Sequence, residues 1–370
     1  MCIINTMIPS AIFDQAVFLS TPTPSWLLRY LHALAVPHIV EEYELMVRFL
    51  LMYEGSSDTF TSYRREVERF CQWAWLVYQT PIKHIDRHGL VQYFHFIQHP
   101  PKDWIASRHA ERFIRDEHDQ RRPNPAWRPF LQRASSKNPK EKSAYSFSKS
   151  QMRASMASVS TCMSYLQQEG YIDKNPALLI RQKSRFIQQQ QTRRVTRKLT
   201  DTQWMVLVEA LSEKAKIDLT YERHVFLFAA FFLLGLRISE LAETEHRLPK
   251  MGDFYKDASG RWWFMTVGKG NKYREVAVPD QMLEHLIRYR KYLGMSALPP
   301  VSDPRPLMVK YKGVGGLGVR QIRKVVQEGF DLAITSLQAE DKADQAHAMR
   351  YATVHWLRHT AISMDVTHRP

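Results

Sequence analysis

The sequence predicts a mainly α-helical protein of two domains with one small antiparallel β-sheet. Most of the long segments repeat apolar residues at helical spacing, and β-rich patterning is confined to the two runs in "RWWFMTVGKGNKYREVAVP". A chain of 370 residues is long enough for two hydrophobic cores.

The first half of the chain predicts a helical domain over residues 41–180. Residues 1–40 contain "STPTPSW" and indicate an irregular leader. The segment "SSDTFTSYRREVERFCQWAWLVY" begins with the capping candidates Ser57 and Asp58, and its apolar residues share one face. Prolines and charges dominate residues 98–148, so we expect a loop-rich insertion there before a further helix ends near Gly170.

The second domain is predicted over residues 200–370, after a basic linker at 181–199. It opens with the capping-type sequence "TDTQWMVLVEAL", followed by a buried helix at 224–236. Two strands joined by the turn "GKGN" come next, and three further helical segments complete the domain.

The charge of the chain favours a polyanionic partner. The net charge is +15 and the pI is about 9.7, and by segment the charge is −2 over residues 1–100, +6 over 101–150, +7 over 151–200 and +4 over the rest. Lysines and arginines gain free energy by displacing the counterions condensed on phosphates. Nucleic acid is therefore the expected partner, and the middle of the chain is its expected binding region.

The sequence does not favour a disulfide-bonded, metal-binding, secreted or membrane protein. Three cysteines without metal-ligand spacing predict a reducing cytoplasm, no structural disulfide and no metal site. No secretory signal is evident, and the apolar run "VFLFAAFFLLGL" falls short of the roughly 20 residues that span a bilayer. We expect no membrane partner and no cofactor.

Seven basic residues without an acidic neighbour make the linker the first candidate DNA contact. A solvated linker is the alternative, but so many like charges in eighteen positions repel one another unless an anion neutralises them. The candidates are Arg181, Lys183, Arg185, Arg193, Arg194, Arg197 and Lys198.

Two basic residues of the second domain are candidates for phosphate chemistry. Arg237, in "FAAFFLLGLRISELAE", emerges at the edge of an apolar segment and predicts either an ion pair with Glu240 or a preorganised anion site. Lys269 lies between two glycines at the tip of "VGKGNKYREV". It is either an ordinary surface lysine or one that donates a proton to a phosphate oxygen.

His355 and Arg358 lie three residues apart in "HWLRH", on one predicted helix face, with His359 one position further. A surface cluster is one interpretation. A zinc pair of the HExxH type is disfavoured, because Trp356 replaces the glutamate and no third ligand is evident. The favoured interpretation is a histidine and an arginine presented to one phosphate.

The stretch "GVGGLG" at residues 313–318 fits a dinucleotide-binding fingerprint, since it follows a strand-like segment and precedes a helix-like one. No βαβ alternation surrounds it, so we interpret it as a flexible loop.

In this order, "LLGLRISEL", "VGKGNKYREV" and "HWLRH" resemble the motifs of the tyrosine recombinase (phage integrase) family, and the resemblance spans roughly residues 41–370 apart from the insertion. It implies a two-domain, C-shaped DNA clamp with a helical core-binding domain and a catalytic domain. It also implies double-stranded DNA as partner, a homotetramer on two DNA sites for a full-length form, and a role in mobile-element integration or related recombination in the nucleoid.

The same resemblance implies catalytic roles for Arg237, Lys269, His355 and Arg358. The family needs neither metal nor ATP, and it cleaves DNA through a 3′-phosphotyrosyl intermediate. The two arginines would neutralise the transition-state charge, Lys269 would protonate the 5′-oxygen, and His355 would assist proton transfer or hold the phosphate.

This chain departs from the family pattern after Arg358. The nucleophilic tyrosine follows the second arginine by roughly thirty residues in the family, whereas only twelve residues follow here, and the last tyrosine is Tyr351. We therefore expect a catalytic domain truncated before its nucleophile, in a chain that cannot cleave. The alternative is a non-catalytic DNA-binding protein, derived from a recombinase, that occupies or regulates recombination sites.

Overall fold

The computed structural model describes residues 8–132, 145–178, 180, 197–268 and 272–368, with side chains to residue 363. The chain divides into two compact units, residues 1–192 and 193–370. The expected fold class is confirmed, because helices dominate both units and the sheets are small. No helix in the described ranges is long and apolar enough to cross a membrane.

Unit 1 is built from helices that pack around one core. They are α1 (Ala16–Leu19), α2 (Ser25–Ala33), α3 (Ile39–Leu51), α4 (Ser57–Gln72), α5 (Arg87–Gln98) and α6 (Lys149–Gln168). Helix α4 continues as a π-helical segment, Trp73–Val77, and its predicted apolar face is buried at Val67 and Phe70. Helix α6 ends close to the predicted Gly170, whose φ of +71° suits glycine.

The expectation of an irregular leader over residues 1–40 is wrong for its described part. Helices α1 and α2 lie within it, and Ile12 and Phe13 are fully buried. Their backbone N–H groups donate to Glu68 Oε1 at 2.7 and 3.2 Å. The local sequence gave no sign of this docking, because the acceptor is a buried glutamate on α4 more than fifty residues away.

The described residues of the 98–148 insertion are mostly loops, as expected, and they also include short strands. These are β1 (Ile105–Ala106) and β4 (Phe130–Leu131), which pair in parallel, and β2 (Phe113–Arg115) and β3 (Arg121–Pro123), which form an antiparallel hairpin. Trp104 and Phe130 are fully buried, so the insertion is packed into unit 1.

Unit 2 is a helical domain with one three-stranded antiparallel sheet. Its helices are α7 (Asp201–Ile217), α8 (Glu222–Leu233), α9 (Ile238–Leu241), α10 (Asp280–Tyr292), α11 (Val319–Ala339), α12 (Ala343–Met349) and α13 (Val354–His368). The strands, in spatial order, are β5 (Phe254–Lys256), β6 (Trp262–Val267) and β7 (Tyr273–Ala277).

Local signals account for several of these elements. Thr200 caps α7 as predicted, because its hydroxyl accepts from Gln203 N and the Gln203 side chain accepts from Thr200 N. Helix α8 forms the expected apolar element, but it ends at Leu233 rather than at residue 236. The chain then turns sharply, and this turn delivers Arg237 to the start of α9.

Candidate phosphate-binding site

Arg237 occupies the position just before α9 and is not part of a continuous buried helix. The turn that precedes it contains Gly235 in the left-handed conformation, with φ of +56°. Glycine adopts this conformation without steric cost, and it redirects the chain after α8. The Arg237 side chain is 46% exposed and is therefore accessible at the surface of unit 2.

Glu240 is the buried partner of Arg237. Its carboxylate accepts from Arg237 N at 2.5 Å and from Arg237 Nη1 at 3.3 Å, and its side chain has no solvent exposure. The ion pair predicted from the i, i+3 spacing thus exists. A buried carboxylate requires compensation by cations and donors, and Arg237 supplies only part of it.

Arg274 on β7 supplies a second cation. Its Nε lies 3.1 Å from Glu240 Oε1, and its Nη2 lies 2.9 Å from Glu240 Oε2. Such a forked pair fixes both side chains. The hairpin register places Arg274 opposite Thr266, so the sheet determines where this guanidinium lies.

The end of the β6–β7 hairpin lies beside the same carboxylate. Gly268 N donates to Lys272 O at 2.8 Å, which pairs the two strands at this end. A methyl group added at Gly268 would lie 3.7 Å from Glu240 Oε1 and 3.9 Å from Arg237 Nη1. The described ends of the hairpin therefore flank the arginine cluster.

Arg358 on α13 is the third arginine. Its Nη1 donates to the carbonyl oxygen of Gly235 and lies 4.0 Å from Glu240 Oε2. Partial burial lowers the pKa of Arg358, and the charges of Arg237 and Arg274 lower it further, while Glu240 opposes them. Three guanidinium groups thus converge around one carboxylate.

This cluster carries more positive than negative charge. Arg237, Arg274 and Arg358 contribute three charges, and Glu240 compensates one of them. Arg237 and Arg274 retain about half and a third of their side-chain exposure, so both remain accessible to a ligand. The arrangement can bind an anion such as a phosphate with little reorganisation.

His355 lies one helical turn before Arg358 and next to His359. The two Nε2 atoms are 2.8 Å apart, so the rings share at most one proton on these nitrogens. Burial lowers the pKa of His355, and the charges of His359, Arg358 and Arg197 add to this effect. These effects favour the neutral form of His355, which can accept a proton.

The end of the basic linker is attached to the helix that carries His355 and Arg358. Leu199 is buried, and its backbone N–H donates to Thr360 Oγ1 at 2.9 Å. Lys198 Nζ lies 3.3 Å from Ser363 Oγ. Two of the predicted DNA-binding residues, Arg197 and Lys198, thus lie against α13.

Other predicted site residues fall outside the described ranges. They are Lys269 and the linker residues Arg181, Lys183, Arg185, Arg193 and Arg194. Their roles stay predictions. Tyr351, the last tyrosine, is 62% exposed and contacts the ring of His347.

The sequence motifs did not single out Arg274, and only the strand alternation of "KYREV" could have indicated it. Alternation places Arg274 and Val276 on one face of β7, but it does not identify Glu240 as the partner.

The described residues contain neither a metal cluster nor a dinucleotide fold. No group of three or more His, Cys, Asp or Glu side chains in these ranges could hold a metal ion. The "GVGGLG" stretch precedes α11, but the segment before it forms only isolated bridges, at Pro306 and Val309. The described sheets include no doubly wound parallel sheet to support a nucleotide at this loop.

Comparisons with known proteins identify the fold. No family model matches the chain, and no curated protein matches its sequence. Among solved structures, the XerH site-specific recombinase bound to palindromic difH substrate, in a post-cleavage complex, is 14% identical with a TM-score of 0.52. That match covers 97% of this chain and 80% of the XerH chain.

A second solved structure has a similar fold. The Tn1549 transposon integrase in complex with a circular intermediate DNA is 13% identical with a TM-score of 0.50. The match covers 88% of this chain and 86% of the integrase chain. Identities this low establish similarity of fold alone, and on that basis the chain has the tyrosine recombinase fold that its three motifs resemble.

Proposed function

We propose that this protein is a site-specific DNA recombinase or integrase whose second unit activates a phosphodiester for strand exchange. The observation that carries the proposal is the convergence of Arg237, Arg274 and Arg358 on one buried carboxylate, with a histidine one helical turn before Arg358. A pocket with surplus cations and a proton acceptor is suited to a phosphate whose charge increases in the transition state. The fold of the two matched structures supports the same function.

Arg237 and Arg358 would neutralise the nonbridging oxygens of the scissile phosphate. Arg274 would position Arg237 indirectly, because both bind the same Glu240 carboxylate. His355 would accept the proton of the attacking hydroxyl or hold the phosphate, and Lys269 is the proposed donor to the leaving 5′-oxygen. The proposed intermediate is a 3′-phosphotyrosyl link, and no residue of this chain is assigned as its tyrosine.

The linker arginines and lysines are the proposed contacts to the DNA backbone. Arg197 and Lys198 support this role, since both are exposed and lie beside α13, the helix that carries His355 and Arg358. Double-stranded DNA is the proposed partner, with a homotetramer as the proposed assembly of a full-length form.

A non-catalytic DNA-binding protein is the alternative proposal. Both proposals expect duplex binding with a steep salt dependence, and Arg237→Ala should reduce the slope of log K against log salt by about 1. Exposed Arg261, in the turn before β6, provides the matched control, and Arg261→Ala should leave the slope unchanged.

Cleavage assays separate the two proposals. DNA duplexes that bind the protein would first be selected from a random pool. The selected duplexes would then be nicked, so that a covalent protein–DNA adduct is trapped, and incubated with the 370-residue chain. We expect no covalent adduct, but strand cleavage when hydrogen peroxide is added as an external nucleophile. This cleavage should disappear in Arg237→Ala and Arg358→Ala.

Two other outcomes of these assays would also distinguish the two proposed functions. Binding without peroxide-dependent cleavage supports the non-catalytic alternative. An adduct formed by the chain itself contradicts the absence of a nucleophile and directs attention to Tyr351, with Tyr351→Phe as the next variant.

A further inference from the structure

Unit 1 contains a cavity of about 500 Å³ that no proposed role of the protein uses. It lies between residues 61–69 of α4, the first two turns of α6 and the insertion that follows α5. Its volume is within the range of roughly 300–1,000 Å³ that is usual for small-molecule sites. Six arginines line it: Arg64, Arg65, Arg69, Arg108, Arg112 and Arg128.

Half of these arginines have carboxylate partners. Arg65 and Arg69 share Glu66, at 2.8 and 3.1 Å. Arg112 pairs with Glu68. These contacts keep three of the cationic side chains in place on the cavity wall.

The other three, Arg64, Arg108 and Arg128, have no carboxylate within ion-pair distance in the described ranges. Arg64 Nη1 donates to Asp14 O at 2.8 Å, whereas its Nε is buried without a hydrogen-bond partner. Arg128 Nη1 donates to the carbonyl oxygens of Pro125 and Trp127. These guanidinium groups retain donors for a ligand.

The cations of the cavity act on one another. Burial, together with the charges of Arg64 and Arg65, lowers the pKa of Arg112 to about 9, while Asp14 opposes this shift. An anion in the cavity would relieve this repulsion.

The start of α6 also favours an anion. Ser150 and Gln151 line the cavity, and the first turn of this 20-residue helix contains no acidic residue. Free N–H groups and the helix dipole give a helix start partial positive charge. Ser148 and Gln151 form a capping box, with Gln151 N donating to Ser148 Oγ at 3.2 Å and Ser148 N donating to Gln151 Oε1 at 2.9 Å. This box leaves the N–H groups of Lys149 and Ser150 without a partner inside the helix.

Aromatic rings form the remaining wall. Tyr145 and Phe147 are half-buried, so part of each ring is accessible from the cavity. Trp127 is nearly buried, with the Arg112 guanidinium over one face at 4.7 Å. Planar bases stack on such rings, because every base presents a flat π-face.

We propose that this cavity binds a nucleotide, with the phosphate on Arg64, Arg108 and Arg128 and the base against Tyr145 and Phe147. The nucleotide is either free in solution or an unpaired nucleotide of a DNA strand, and both present the same phosphate and ring. The inference does not rest on the proposed recombinase function, because every residue it uses belongs to unit 1.

The test uses the full chain and titration calorimetry with deoxyadenosine 5′-monophosphate. Deoxyadenosine and inorganic phosphate are the partial ligands, and phenyl phosphate is the competing ring-phosphate. The nucleotide should bind at least about tenfold more tightly than each of these three. A duplex with one bulged nucleotide, compared with the same duplex without it, distinguishes a strand source from a free one.

The variants separate the two parts of the pocket. Arg108→Ala should weaken nucleotide binding about tenfold. Phe147→Ala should weaken nucleotide binding similarly and leave phosphate binding unchanged. Exposed Arg87, also in unit 1 but outside the cavity, is the control, and Arg87→Ala should have no effect. Unfolding curves of each variant confirm that the fold is intact.

Binding by the free nucleotide, or a preference for the bulged duplex that Arg108→Ala removes, supports the proposal and identifies the source. The proposal is overturned if phosphate or phenyl phosphate binds as tightly as the nucleotide. It is also overturned if neither nucleotide source binds, or if Arg108→Ala behaves like Arg87→Ala.

Discussion

Arg274 binds both carboxylate oxygens of Glu240, across 34 residues of sequence. The forked contact ties the β6–β7 hairpin to α9, while Arg237 and Arg358 approach the same carboxylate from the preceding turn and from α13. Glu240 is therefore the common counterion of three separate parts of unit 2. Its charge keeps the arginines together, and their surplus keeps the site attractive to anions.

Removing that charge should destabilise unit 2. Glu240→Gln keeps the size of the side chain but leaves three guanidinium groups without a counterion. We expect a loss of roughly 2–4 kcal/mol in the free energy of unfolding, somewhat below the cost of breaking a fully buried pair, because the arginines are partly exposed. Urea unfolding of the full chain measures it.

The matched control is Glu213→Gln on α7. Glu213 pairs with Lys216, and both side chains are more than 60% exposed. Its loss should cost less than about 1 kcal/mol. Equal effects of the two substitutions would refute the role of Glu240 as a shared counterion.

His355 should titrate below its usual range. Burial and neighbouring positive charge lower its pKa, so protons bind more weakly to the folded than to the unfolded protein. This group's contribution to stability is constant above about pH 6.5 and decreases as the pH falls through its folded pKa. NMR titration of the imidazole measures this, with His355→Gln to assign the signal.

Arg197→Ala should raise the pKa of His355 towards its ordinary value, because one of the charges that lower it is removed. Arg261→Ala is the distant control. An unchanged midpoint in Arg197→Ala would show that the linker end does not act on His355.

Glu42, in unit 1, should give the free energy of unfolding the opposite dependence on pH. Burial raises its pKa to about 7, although Trp75 Nε1 and the Tyr171 hydroxyl donate to it at 2.8 and 2.9 Å. The folded state therefore binds this proton more tightly than the unfolded state. The contribution is fully present below about pH 4.5 and is lost as the pH rises through 7, with a total of roughly 3 kcal/mol.

The measurement is the unfolding free energy of the full chain between pH 5 and 8. Glu42→Gln should remove this part of the slope, since the amide does not titrate. A variant with the same slope as the wild type would exclude Glu42 as its source.

Close packing of α11 against α8 depends on Gly329. A methyl group added there would lie 2.4 Å from Phe228 Cε2, inside the van der Waals distance. Gly329→Ala should therefore destabilise the protein by about 1–3 kcal/mol. Gly55→Ala, where no atom lies within 4 Å, should be neutral or slightly stabilising. Thermal unfolding of both variants provides the comparison.

Features that depend on local spacing were predictable from the sequence. The Thr200 cap, the end of α6 near Gly170 and the contact between Arg237 and Glu240 each join residues within a few positions of one another. Such signals arise from backbone geometry and helix periodicity, which neighbouring residues determine.

Features that depend on distant partners were not predictable from the sequence. Arg274 looks like any polar residue of a strand until the sheet places it over Glu240. Ile12 and Phe13 look like part of a loose leader, because the buried Glu68 that binds their backbone lies on α4. Tertiary contacts outweigh local patterning in both places.

The hydrogen bond between Leu199 and Thr360 joins residues that are 161 positions apart in the chain. Trp356 and Leu357, on the same helix, are buried in the core of unit 2. Protein synthesis proceeds from the N-terminus, so this core stays open on one side until the ribosome has released residue 360. The nascent second unit therefore exposes part of its core until residue 360 has emerged, whereas unit 1 can fold as soon as its own helices have emerged.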